Sequence, residues 1–155
     1  MSHSLFESFC LRACVSMGIP MPALDATADG EPPAITLTVE GVVICLMQPP
    51  GDERHAVLMV EFGVLPSERT LQACLALLEA NFLAMGSEPA VFARHPLSGA
   101  IVLHQRFVLA DADAGKVEAC VRQVAQAVLQ WREHHFLAAE EDAAASAAPT
   151  SGVFA

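Results

Sequence analysis

Gly63-Val64-Leu65-Pro66, running on into Leu77-Leu78-Glu79-Ala80-Asn81-Phe82, joins the two halves of this chain and decides how it is read. Arg54 to Phe62 is a strand-like run that ends at Gly63. Pro66 starts a turn, and Ser67 is placed to cap a helix over residues 67–83 that closes near Asn81. Within it Leu71, Cys74, Leu75, Leu78 and Phe82 recur at helical spacing, and Leu77 widens that stripe.

On the N-terminal side, residues 3–18 read as a helix. Leu5, Phe6, Phe9, Cys10, Ala13 and Met17 return every three or four positions, Ser4 and Glu7 have capping-box spacing, and Gly18 and Pro20 end it. Pro20, Pro22, Gly30, Pro32 and Pro33 mark a loop. Ile35, Leu37 and Val39 alternate with Thr36, Thr38 and Glu40, a half-buried strand. Glu40-Gly41 turns into Val42 to Met47, apolar enough to be buried on both faces. Pro49-Pro50-Gly51-Asp52 turns again into the run before Gly63, so these three strands predict an antiparallel meander.

On the C-terminal side, Glu88 to Arg94 and Ala100 to Leu109 are two further strands, joined through Pro96, Ser98 and Gly99. In the second, Ile101, Leu103 and Phe107 oppose His104 and Arg106. Asp111 or Asp113 caps a last helix that carries Val117, Cys120, Val121, Val124, Val128 and Trp131 to about Leu137. The predicted order is α-β-β-β-α-β-β-α, an α+β domain with helices packed on a bent antiparallel sheet. It forms a single domain over residues 1–138, followed by an Ala-rich acidic tail over 139–155 expected to be flexible.

The composition narrows the function. Hydrophobic residues make up 54% and charged residues 17%, against roughly 45–50% and 25% in ordinary domains. So apolar a chain of 155 residues is expected to share surface with a partner. Its formal charge of −10 disfavours nucleic acid, which is held by Lys and Arg on phosphates, and anionic membrane surfaces. Cys10, Cys14, Cys45, Cys74 and Cys120 include no Cys-x-x-Cys pair and read as small buried hydrophobes in a reducing compartment. The N-terminus has no basic region followed by an apolar run, and no segment has the length of a membrane span, so a cytoplasmic protein is expected.

Catalytic and metal-binding patterns are missing. There is no phosphate-binding loop motif, a single lysine (Lys116), and no G-x-S-x-G elbow. His134 and His135 are adjacent, so on a helix they diverge by about 100° and do not chelate as an i, i+4 pair does. Cys10 and Cys14 have that spacing but no matching second pair, and core packing explains them. Asp52-Glu53 and Glu140-Glu141-Asp142 lie in a turn and in the tail, where solvated charge accounts for them. No cofactor, metal or enzyme activity is expected.

The ordered set Gly63 to Pro66, Leu77 to Phe82 and Trp131, with the element order and acidic character, resembles the class I type III secretion chaperones (CesT/SycE-like, Tir chaperone family). The resemblance spans roughly Ser4 to Leu137 and leaves the tail outside. It implies a bacterial homodimer that binds the N-terminal segment of a secreted effector in extended form, without ATP. It further implies a dimer contact through the second helix and following strand, here Leu71, Leu75, Leu78, Val91 and Phe92. The helix stripe serves equally well as plain core. Effector grooves would come from the first helix and first three strands, here Leu5, Phe6, Phe9, Ile35, Leu37, Val43, Cys45 and Met47, of which many must instead be core because pattern alone does not choose a sheet's face.

Two other readings compete. A small-ligand-binding or regulatory α+β domain would enclose one cavity with a few convergent polar groups. An enzyme would cluster titratable side chains of perturbed pKa.

Overall fold

A computed structural model describes residues 4–24, 32–86 and 89–137. Its elements are α1 (Leu5–Met17), β1 (Ala34–Val39), β2 (Val42–Met47), β3 (His55–Gly63), α2 (Thr70–Leu83), β4 (Ala90–Arg94), β5 (Ile101–Val108) and α3 (Ala114–His134). The order is the one expected. Among the described residues the strands form one antiparallel five-stranded sheet, β1-β2-β3-β5-β4, so the first three are a meander and β4 returns to the outside of β5. His3, the start of the fourth expected strand at Glu88, and the tail lie outside the described residues.

Local chemistry sets most boundaries. Ser4 caps α1 by accepting from the Glu7 N–H at 3.1 Å, and Asp113 caps α3 by accepting from the Lys116 N–H at 3.1 Å. Gly18 ends α1 in the left-handed conformation. Glu40 and Gly41, both at positive φ (52° and 78°), make the two-residue turn between β1 and β2. Gly63 sits at φ 125°, where the β3–β5 register shifts between Glu61 and Gly63. A residue with a Cβ rarely adopts that backbone, so the glycine that opens the quoted stretch lets β3 break away towards α2.

The start of α2 differs from expectation. Ser67 does not cap it; the helix begins at Thr70, whose hydroxyl donates back to the carbonyls of Pro66 (2.7 Å) and Ser67 (3.3 Å). The helix ends at Leu83, the last residue of the expected range.

The core lies between one sheet face and the helices. Ile35, Leu37, Ile44, Leu46, Leu58 and Phe62 from the sheet meet Phe6, Phe9 and Cys10 of α1 and Val117, Val121, Val128 and Trp131 of α3. Trp131 is a core anchor, packed edge-to-face on Phe62 (6.3 Å between ring centroids) and Phe136 (5.4 Å). Burial pushes the Cys10 thiol up to about 12, with the neighbouring Cys14 thiol adding to the effect, and burial raises Cys14 also. Cys45, Cys74 and Cys120 are half-buried rather than fully buried as expected. Val42 to Met47 is buried on one face, not two: Val42, Ile44 and Leu46 face the core, while Val43 is exposed and Cys45 and Met47 are half-buried.

Candidate functional site

Among the described residues, two apolar surfaces stand open on the protomer. The first is made by α2. Its buried residues are Ala73 and Leu77, which face β4 and the core. The small Ala73 lets the helix sit close to the sheet and turns its large side chains outward. Leu71, Leu75, Leu78 and Phe82 are 70%, 50%, 63% and 68% exposed. The predicted stripe therefore exists, and it faces solvent; the plain-core reading of it does not hold for the protomer. A groove of about 280 Å³ runs along the base of this face between α2 and β4, with Leu65, Cys74, Leu78 and Ala93 in its walls. Val91 is exposed beside it. Phe92 is half-buried: it lines the same groove, while its ring packs edge-on against Phe62 (5.0 Å) and Phe136 (5.9 Å).

The second surface is the outer face of the sheet. Strand alternation and register place Val43, Cys45 and Met47 of β2 beside Val57 and Met59 of β3, with Val102 of β5 further along. These residues are half-buried or exposed, whereas their neighbours on the inner face are almost wholly buried. An antiparallel sheet with one solvated face ordinarily carries polar side chains there. Here a groove of about 510 Å³ has Val43, Cys45, Met59 and Val102 in its walls and Glu61 and Arg132 among its charged groups.

The expected effector-binding residues divide along this line. Leu5 and Val43 are exposed, and Cys45 and Met47 lie half-buried on the outer sheet face. Phe6, Phe9, Ile35 and Leu37 are core, each no more than 1% exposed, and no partner reaches them without unpacking the domain. For Phe6 and Phe9 the reason is the inward face of α1: Phe9 packs on Phe107 (5.9 Å) and Phe6 stacks on Phe9 (6.5 Å). For Ile35 and Leu37 it is register: they pair with Leu46 and Ile44, the inward residues of β2. Val57, Met59 and Val102 were not singled out from the sequence. The signal was there in β3, where both alternate sets (Ala56, Leu58, Val60 and Val57, Met59) are apolar although only one face is core.

Among the described residues, two carboxylates have perturbed titration, and both lie at the surface. Asp52 accepts from the Arg54 N–H and lies 2.8 Å from His55 Nδ1, and chiefly that imidazole contact holds its carboxyl below the usual range. Glu118 is lowered by the Ser16 hydroxyl (2.5 Å) and then by Arg122 (3.1 Å). Each explains a surface contact. Among the described residues no three His, Cys, Asp or Glu side chains are placed to hold a metal ion, and no helix is long and apolar enough to cross a membrane.

The model of the Tir chaperone protein (CesT) family matches residues 23–132. The chain belongs to this family. No curated protein matches it in sequence. Its fold recurs in solved structures, among them three complexes. In ExoT–SpcS from Pseudomonas aeruginosa the match has 18% identity, covers 83% of this chain and 98% of the other, and gives a TM-score of 0.58. In ExsC–ExsE the values are 16%, 81%, 90% and 0.59. In the HopA1–SchA chaperone–effector complex they are 14%, 83%, 94% and 0.61. At these identities the likeness is one of fold, and it places this Tir chaperone family member on the same helix-and-sheet scaffold.

Proposed function

We propose that this protein is a type III secretion chaperone that holds the N-terminal segment of one or more effector proteins. It works as a homodimer, without ATP, and keeps the cargo soluble and competent for secretion. The observation that carries this reading is the pair of open apolar faces on a member of the Tir chaperone family. Leu71, Leu75, Leu78 and Phe82 of α2, with Val91, form an exposed apolar face suited to a second copy. Val43, Cys45 and Met47, joined by Val57, Met59 and Val102, form the face suited to cargo. One of the solved structures of this fold is described as a chaperone–effector complex, which supports the same partner class.

The mechanism needs no chemistry. An extended apolar segment loses conformational freedom when it is ordered, so a broad apolar surface must offset that cost. Backbone pairing with the sheet gives affinity, and alternate side chains entering the outer-face groove give selectivity. The family assignment speaks for a non-enzyme. We place the protein in the bacterial cytoplasm, where such cargo is made. The grooves lie at the surface, which favours a chain-like occupant over a small enclosed ligand.

The test is to isolate the protein with its bound partner, cleave the complex by limited proteolysis and alkylate it with iodoacetamide. An extended partner segment protected from protease, with Cys45 alkylated more slowly than in the free protein, is the expected result. A partner bound as a folded domain, leaving Cys45 as reactive as before, would overturn it.

A further inference from the structure

Sulfur-bearing side chains meet on the outer face of the sheet. Cys45 stands directly opposite Met59 in the β2–β3 register, and Met47, next but one to Cys45 along β2, stands opposite Val57. Directly opposed side chains have Cβ atoms about 5 Å apart, and diagonal neighbours are still within reach of a long side chain. Strand alternation points Cys45, Met47 and Met59 away from the core, and each is half-buried. Cys45 and Met59 line the groove of about 510 Å³. Met17, by contrast, belongs to the core.

Methionine suits a face that receives varied apolar segments, because its unbranched thioether adapts its shape to what covers it. The same sulfur is the atom that peroxide attacks. Oxidation to the sulfoxide turns a flexible apolar side chain into a polar one and disrupts methionine-rich interfaces, and a dedicated reductase reverses it. On its other side Met59 stands opposite His104, and Arg106 lies diagonally beyond, opposite Val57. Both are exposed and carry N–H donors.

We propose that Met59, together with Met47, is an oxidation site that turns the outer face from apolar to polar and releases what it holds. This rests on the reading that the outer face holds cargo, and it adds how that hold is regulated. Hydrogen peroxide is the oxidant. A lone pair of the Met59 sulfur takes one peroxide oxygen, the O–O bond breaks, and the departing hydroxide picks up a proton to leave as water. The sulfur is oxidised by two electrons and the peroxide is reduced by two. His104 and Arg106 give the new oxygen donors on the face itself, so the oxidised side chain is held across it. An apolar segment closing over that oxygen would strip its water and offer nothing in return.

The experiment uses the complex isolated with its bound partner, and the free full-length chain. Both are exposed to hydrogen peroxide, and sulfoxide at each methionine is followed by peptide mass spectrometry. Met47 and Met59 should oxidise in the free protein and more slowly in the complex. Once they are oxidised the partner should bind at least about tenfold more weakly, the effect of burying one unpaired polar group. Methionine sulfoxide reductase should restore binding, and dithiothreitol alone, which resets a sulfenic acid or a disulfide at Cys45, should not. In the double variant Met47→Leu with Met59→Leu, whatever its starting affinity, peroxide should no longer change that affinity. Met85→Leu, at an exposed site beyond the end of α2, should leave the response intact. A partner retained on protein carrying both sulfoxides, full recovery with dithiothreitol, or equal release from the double variant overturns the switch. Equal oxidation of Met47 and Met59 in the free protein and the complex instead removes the outer face as the cargo site, and the switch with it.

Discussion

Gly63 carries the largest consequence for its size. At φ 125° its backbone is one that a side chain disfavours, although space is not short: a Cβ there would come no nearer than 4.0 Å to Trp131 Nε1. Gly63→Ala should therefore lose about 1–3 kcal/mol through backbone strain alone, read as a lower urea midpoint with an unchanged slope; an unchanged midpoint would contradict this. Asp52 gives a prediction in pH. Its pKa is lowered in the folded protein by His55 first, then by the Arg54 N–H and Arg106. A lowered carboxyl stabilises the fold above its unfolded pKa, and that contribution is lost as pH falls through the folded value. Asp52→Asn should thus be less stable than the unaltered protein at neutral pH, and the difference should close on acidification below the ordinary carboxylate range. Urea unfolding at several pH values checks it. At this scale the cap at Ser4 is legible, because a short polar side chain before an apolar run has one obvious use, while the sequence leaves the cap of α3 between Asp111 and Asp113 and the structure assigns it to Asp113. Ser67 misled for the same reason: Thr70 makes the contacts that define the helix start, and its hydroxyl points backwards to carbonyls.

At the level of elements, α1 and α2 have opposite lessons. The period of α1 is legible for Phe6, Phe9, Cys10, Ala13 and Met17, all buried; Leu5 of the expected stripe is exposed, and Cys14, outside that stripe, is core. Phe9→Ala should cost about 3–5 kcal/mol as a buried aromatic, while Leu5→Ala, exposed at the helix start, should change stability by no more than about 0.5 kcal/mol; thermal unfolding of the two variants separates core from surface on one helix. In α2 the stripe was found but its direction was not. The helix is apolar nearly all round, so periodicity finds the line of large residues without saying whether the sheet lies under it or under Ala73 and Leu77. Leu78→Asp is therefore predicted to leave the protomer's circular dichroism unchanged and to convert the dimer to monomer in sedimentation, since a buried, unpaired carboxylate costs an interface far more than a lost Leu. The strand faces were unreadable in β2 and β3 for the same physical reason. Both alternate sets are apolar, one for the core and one for the open face, so register alone assigns Ile35 and Leu37 inward and Val43, Cys45 and Met47 outward.

Across the whole molecule, the excess of apolar residues that composition announced resolves into two places. One is a helix face, the other the uncovered side of a sheet, and they lie on different elements so that both can be occupied at once. A small domain with one core does not need either for its own folding. On a member of the Tir chaperone family, the proposed function uses both: one face for a second copy, one for an extended cargo segment. The most direct test is native mass spectrometry of the complex isolated from the organism that makes it. The account predicts a particle holding two copies of this chain and one partner chain, reverting to a two-copy particle when the partner is removed. A single copy at micromolar concentration, with no partner chain attached, would contradict it.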